Sequence, residues 1–152
     1  MRVLILAVGK AKPGPEQELF AQYAGRLPWP VDVKEIAPNK DQSAGVRKER
    51  EAEALLKATP PESVIVALDE TGTAESSEKF AKRVSAWRDG GARTLVFIIG
   101  GADGHGDAVL KKAKHKLSLG PMTWPHMLVR GLLMEQLYRA HSILTGHPYH
   151  RA

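Results

Sequence analysis

Leu95-Val96-Phe97-Ile98-Ile99-Gly100-Gly101-Ala102-Asp103-Gly104-His105-Gly106 runs an apolar segment straight into a loop with four glycines. A continuous Val/Ile/Leu/Phe run of this length reads as a strand covered on both faces. The residues after it, 107–114, have helical character, so the unit reads strand, glycine loop, helix. In open α/β sheets ligands sit at the carboxyl ends of strands, and glycines there let a backbone come close to a cofactor. The spacing, G-G-x-x-G-x-G, is not that of a dinucleotide fold, and no acidic residue follows about twenty positions on. No Lys-Ser/Thr pair follows either, which removes a phosphate-cradling P-loop.

Outward from this unit, four more segments have strand length and composition: 3–8, 31–36, 64–68 and a weaker 115–119. Between them lie segments with helical spacing. Leu19, Phe20, Tyr23 and Leu27 mark a helix over 15–27. Ala52, Leu55 and Leu56 mark one over 46–58. Phe80, Val84 and Trp87 mark one over 76–88, with Ser76 or Ser77 as its cap and Gly90-Gly91 as its stop. Strand and helix alternate, which predicts one α/β domain over 1–152 with a largely parallel sheet. The chain of 152 residues is 43% hydrophobic and 26% charged. That balance suits a single globular domain and excludes wholesale disorder. The longest apolar run is too short to cross a bilayer, and no secretory leader pattern is expected. Without cysteine, thiolate chemistry is excluded, and a cytoplasmic home fits.

The last helix, over 127–144, is apolar on nearly every side. Such a helix needs cover on several faces, and a second copy of the chain is one source of cover, a central place in an ordinary core another. Charge is also uneven. Residues 1–99 hold 15 Lys and Arg against 14 Asp and Glu, whereas 100–152 hold 7 against 3 and all six histidines. A localised basic surplus suits a polyanion such as nucleic acid.

Three further groups can carry chemistry. Leu119-Gly120-Pro121-Met122-Thr123-Trp124-Pro125-His126 is a proline-stiffened loop that can present fixed backbone hydrogen-bonding groups to a base edge. His147-Pro148-Tyr149-His150-Arg151 combines an aromatic ring with cationic groups, as in base stacking and phosphate pairing. Its His-x-x-His is half a zinc set at most, since zinc takes three or four protein ligands, and no metal is assigned. Arg130, Glu135 and Arg139 place charges on the apolar helix, where they are either paired or functional. Asp69 and Glu70 stand at the same strand end as the glycine loop.

These stretches together resemble the SPOUT class of methyltransferases. Within it, they resemble the small bacterial enzymes that methylate N3 of a pseudouridine in 23S ribosomal RNA. The resemblance is carried by Val66-Ala67-Leu68-Asp69, Ile98 through Gly104, Leu119 through His126 with Leu128-Val129-Arg130, Glu135 through Ala140, and His147 through Arg151. Leu6-Ala7-Val8-Gly9-Lys10 fits as well. It implies a SPOUT-type parallel sheet flanked by helices with a C-terminal trefoil knot, and S-adenosyl-L-methionine as cofactor. The implied cofactor positions are Leu68, Gly100, Gly101, Leu119, Gly120, Pro121, Met122, Thr123 and Trp124. It further implies a homodimer, a 23S rRNA substrate within the assembled ribosome, and no metal. His147, Tyr149, His150 and Arg151, with Arg130 and Arg139, are then the catalytic candidates. Tyr149 would orient the target base, and Arg151 would stabilise its anion or bind phosphate. The alternative is a non-catalytic ribosome- or RNA-binding α/β module, which explains the basic C-terminal third but neither loop.

Overall fold

The computed structural model describes residues 1–151. Ten elements follow in order: β1 Arg2–Val8, α1 Pro15–Arg26, β2 Val31–Ile36, α2 Ala44–Lys57, β3 Ser63–Ala74, α3 Ser77–Asp89, β4 Thr94–Ile99, α4 Asp107–Lys112, β5 His115–Ser118 and α5 His126–Thr145. They gather into two compact units, each assembled from three separate stretches of chain.

The first unit holds residues 1–10, 31–74 and 92–123. All five strands form one sheet in the order β2-β1-β4-β3-β5, and every pairing is parallel. The apolar runs read as strands from sequence are its centre: β4 is buried from Leu95 to Ile99, and β1 from Ile5 to Val8. β2, at an edge, is more polar and largely exposed, as one-sided cover allows. One face of the sheet is closed by Ala52 and Leu55 of α2 and Val109 of α4, packed with Leu6, Val8, Ile65, Ala67, Val96 and Ile98.

β3 departs from expectation. The apolar pattern ends at Leu68, yet the strand continues through Asp69-Glu70-Thr71-Gly72 to Ala74. Its register against β5 slips between Leu68 and Thr73, so that Leu117 is opposite both. Four residues, 69–72, are thus inserted between successive pairings with β5, a bulge-like irregularity in the ladder. Gly72 is needed there, because a Cβ would sit 2.6 Å from the Lys116 carbonyl oxygen. A polar, glycine-containing stretch reads as a loop because its partner strand is invisible in the sequence.

The second unit holds residues 11–30, 75–91 and, among the described residues, 124–151. In it α5 packs against both α1 and α3. Ser76 caps α3 by accepting the Lys79 amide at 3.2 Å, and Gly90 closes the helix, as the spacing predicts. On α5, Arg130, Gly131, Leu133, Met134, Leu137, Ala140 and Ser142 are buried. Met127, Leu128, Val129, Leu132, Ile143 and Leu144 are only half-buried. The helix is therefore covered on part of its apolar circumference. Gly146, in the left-handed region at φ 72°, ends it. His147 then donates its amide to the Ser142 carbonyl at 2.9 Å, the 6→1 bond of a Schellman turn.

Candidate functional site

Strand register brings Leu68, where β3 breaks its register, and two loops together in the first unit. Leu68 lies opposite Ile99 of β4 on one side and Leu117 of β5 on the other. Leu68, Gly100-Gly101 and the Leu119–Thr123 loop are thus neighbours, with the two loops at the carboxyl ends of β4 and β5, where open α/β sheets take ligands.

The glycine loop is held in shape by its own polar groups. Gly104 donates its amide to the Gly101 carbonyl at 3.0 Å and sits at φ +82°. Arg47, from α2, grips the Asp103 carboxylate with two bonds, Nε to Oδ2 at 2.8 Å and Nη2 to Oδ1 at 3.1 Å. A planar guanidinium matches a carboxylate in this forked way. The pair keeps Asp103 below its ordinary carboxylate range.

His105 ties the loop to Leu68. Its Nε2 lies 2.8 Å from the Leu68 carbonyl oxygen. A carbonyl only accepts, so Nε2 carries the hydrogen and Nδ1 is bare. That Nδ1 is buried without a hydrogen-bond partner, against Gly100, whose added Cβ would stand 3.1 Å away. Burial pushes the imidazole below its ordinary pKa, although the bond to Leu68 acts the other way. His105 is hence a neutral strut between the glycine loop and β3. Sequence reading placed it in the motif without a role, since its partner is a main-chain atom 37 residues earlier.

The Leu119–Thr123 loop is braced by Ser118. Its hydroxyl accepts the Gly120 amide at 3.0 Å and lies 3.1 Å from the Glu70 carbonyl of the bulge. Gly120 takes φ +107°, a backbone angle that side chains resist. Beyond it Pro121, Met122 and Thr123 are exposed, with 72% of Met122 open. An exposed loop stiffened by proline, with Met122 open on it, can offer main-chain groups to the edge and an apolar side chain to the face of an adenine. The residues present therefore fit an adenosine-containing cofactor. Asp69 is taken up by the turn it opens, accepting from the Thr71 amide and hydroxyl.

Trp124 and the six catalytic candidates fall in the second unit. Trp124 is 41% exposed, ahead of α5. Arg130 is buried on α5. One turn beyond the helix centre the tail folds back onto it. Glu135 Oε1 accepts from Arg139 Nε at 3.1 Å and Nη2 at 2.5 Å, and from the Tyr149 hydroxyl at 2.9 Å. The Tyr149 hydroxyl is also 3.2 Å from that of Tyr23 in α1. Its ring packs edge-on to Tyr138, centroids 4.7 Å apart, with the Arg139 guanidinium 4.8 Å from its centroid.

Burial, with the bonds to Tyr23 and Glu135, drives the Tyr149 phenol well above its ordinary pKa. It stays protonated in the working range and acts as a donor. Glu135 in turn keeps Arg139 charged.

His150 is bound at both ring nitrogens: Nδ1 at 3.1 Å from Arg139 Nη1, and Nε2 at 2.9 Å from Glu78 Oε1. Arginine only donates, so Nδ1 accepts and Nε2–H points to Glu78. In this arrangement His150 has no lone pair free to take a proton. His147, exposed, accepts the Tyr149 amide at Nδ1 over 3.2 Å, which shapes the turn. Arg151 is exposed, and Ala152 lies outside the described residues. The structure thus joins Arg139, Tyr149 and His150 into one network with Glu135, Glu78 and Tyr23. Of these partners, Glu135 belongs to the charged set expected on the apolar helix, whereas Glu78 and Tyr23 are not among the expected site residues. Only Glu135 had a signal in the sequence, its i, i+4 spacing from Arg139. Among the described residues no group of three or more His, Asp or Glu side chains could hold a metal.

The family described as "Predicted SPOUT methyltransferase" matches residues 1–150. The chain belongs to the SPOUT methyltransferase family. Its relatives include the ribosomal RNA large subunit methyltransferase H of Paramagnetospirillum magneticum, 58% identical over 99% of each chain. That of Rhodospirillum centenum is 52% identical over the full length of both, and that of Rhodospirillum rubrum 51%. Among solved structures, the SpoU methyltransferase AviRb of Streptomyces viridochromogenes, in complex with AdoMet, superposes with a TM-score of 0.51 at 14% identity. The match covers 92% of this SPOUT chain and 58% of that one. At so low an identity it speaks for the fold: a parallel sheet flanked by helices.

Proposed function

We propose that this chain transfers the methyl group of S-adenosyl-L-methionine to N3 of a pseudouridine in 23S ribosomal RNA of the assembled ribosome. The observation that carries the reading is the meeting of Leu68, Gly100-Gly101 and Leu119–Thr123, in a chain matched along its length by large-subunit ribosomal RNA methyltransferases. Trp124 completes the proposed cofactor set. Bound there, S-adenosyl-L-methionine supplies a methyl group activated by its sulfonium. The chain's task is to hold the acceptor nitrogen in line with that group, which accounts for much of the rate gain when two reactants are positioned.

Pseudouridine N3 bears a weakly acidic hydrogen between two carbonyls. As the proton leaves for water or a base, negative charge spreads over the two oxygens, and cationic donors lower the barrier. Arg139, fixed and charged, and exposed Arg151 are the donors, with Arg130 as a further candidate. Tyr149, held neutral and anchored through its hydroxyl, orients the base by its ring. His150 and His147 remain candidates for the proton; for His150 this requires release from Arg139 and Glu78. The reading includes the trefoil knot and a homodimer, whose interface would cover the half-buried apolar residues of α5. No described helix is long and apolar enough to cross a membrane, and a ribosomal substrate would place the chain in the cytoplasm, with no metal required.

The test is methyl transfer to ribosomes from cells lacking the modification, with mass spectrometry locating the product. One methyl on N3 of a pseudouridine is expected. Transfer to a different atom, or none with cofactor bound, sinks the proposal. Removal of residues 147–152 should abolish transfer and spare cofactor binding, and sedimentation should give twice the chain mass.

A further inference from the structure

Four lysines stand in six residues on the approach to the Leu119–Thr123 loop. Lys111 and Lys112 end α4, Lys114 follows it, Lys116 lies in β5, and all four are exposed. β5 is an edge strand. The Lys114 amide bonds to the Ile65 carbonyl at 2.8 Å, so the ladder already runs at Lys114. Lys114 and Lys116 then project to the same side of the chain. No ion pair found among the described residues includes any of the four. Asp103 is committed to Arg47 and Asp69 to Thr71, and exposed Asp107, one turn before Lys111 on α4, forms no ion pair with any of the four.

Simpler reasons cover part of this. Lysines on an edge strand prevent edge-to-edge pairing, and lysines at a helix C-terminus complement its dipole. Each reason needs one or two lysines, and neither calls for four with no carboxylate between them. Their position matters too. At about 3.3 Å per residue, Lys116 is about 10 Å of chain from Leu119 and Lys114 about 17 Å. The stripe leads into the loop proposed as the cofactor cradle.

We propose that Lys111, Lys112, Lys114 and Lys116 form a docking stripe for the phosphodiester backbone of RNA flanking the methylated nucleotide. The identity of the polyanion rests on the proposed function; the stripe itself rests on charge and placement. Neutralising phosphates releases counterions, so each lysine engaged adds about 0.7–0.9 to the slope of log K against log salt.

The experiment measures binding of the full chain to purified ribosomes over a potassium chloride series. It compares wild type, the variant Lys111→Gln/Lys112→Gln/Lys114→Gln/Lys116→Gln, the pair Lys114→Gln/Lys116→Gln, and a control, Lys57→Gln/Lys79→Gln/Lys82→Gln, on exposed sites elsewhere. The quadruple variant should lose about 3 from the slope and the pair about half of that, with KM for ribosomes raised and kcat and cofactor affinity kept. The control should lose much less. An unchanged slope in both stripe variants, or an equal loss in the control, overturns the stripe. Should wild type bind ribosomes yet transfer no methyl group, the proposed function fails, and the stripe is still judged by its slope.

Discussion

Replacing Tyr149 by Phe removes one oxygen and tests how the tail is held. That oxygen donates to Glu135 at 2.9 Å and lies 3.2 Å from the Tyr23 hydroxyl. Glu135 keeps Arg139 and Gln136 as partners, so no buried charge is stranded, and the cost is close to that of the bond itself. A hydrogen bond to a charged group contributes about 1.5–3 kcal/mol. The ring stays, with its edge contact to Tyr138 and its contact with Arg139. Docking of residues 147–151 should therefore weaken by about 2 kcal/mol, roughly thirtyfold, without being abolished. Amide hydrogen exchange over 147–151 should speed up by that factor, while exchange in β1 and β4 stays as in wild type. Tyr149→Ala loses the two ring contacts as well, each about 0.5–1.5 kcal/mol, and should exchange faster again. In the methyl-transfer assay Tyr149→Phe should lose rate in proportion to the docked fraction. If its exchange matches wild type while transfer disappears, the phenol takes part in the chemistry and the anchoring argument is wrong.

Three other outcomes follow from the same geometry. The folded chain binds a proton at His105 more weakly than an unfolded imidazole of pKa about 6.5 does, so the unfolded state gains protons first as pH falls and stability declines from about pH 7 downward. Thermal melts between about pH 7.5 and 5.5 should show this decline, and His105→Leu should make it shallower, with His141, whose burial also holds it below its ordinary range, supplying the remainder; an equally steep decline in the variant refutes the assignment. Gly131→Val pushes a Cβ to 2.8 Å from Leu19 Cδ2, and overpacking of that kind costs about 1–3 kcal/mol. Chemical denaturation should show that loss, and adding Leu19→Ala should return part of it; strict additivity would mean the two residues do not meet. Gly106→Ala sets a Cβ 2.7 Å from the Lys48 carbonyl oxygen, main chain that cannot swing aside. It should lower the melting temperature, and it should slow transfer by disturbing the adjoining glycine loop. A melting curve like wild type would count against that contact.

The alternation of apolar runs and helical spacing was enough to place all five strands and five helices to within a few residues, except at the end of β3. Each of those segments carries its own periodic signal, because burial of a strand or a helix face is a local pattern. The bulge from Leu68 to Thr73 carries none, since it answers to the partner strand β5. The same distinction runs through the site. Gly100-Gly101 and Leu119–Thr123 are legible as loops because glycine and proline constrain the backbone wherever they stand. That His105 locks Leu68, that Arg47 takes Asp103, and that Glu78 and Tyr23 hold the tail are contacts spanning 37, 56, 72 and 126 residues. Local pattern sets which segments become strands, helices and tight loops. Which polar atoms meet, and so which tautomer His150 holds and whether Tyr149 can lose its proton, is settled only when distant segments pack, because hydrogen bonds depend on separations that the chain's linear order does not encode.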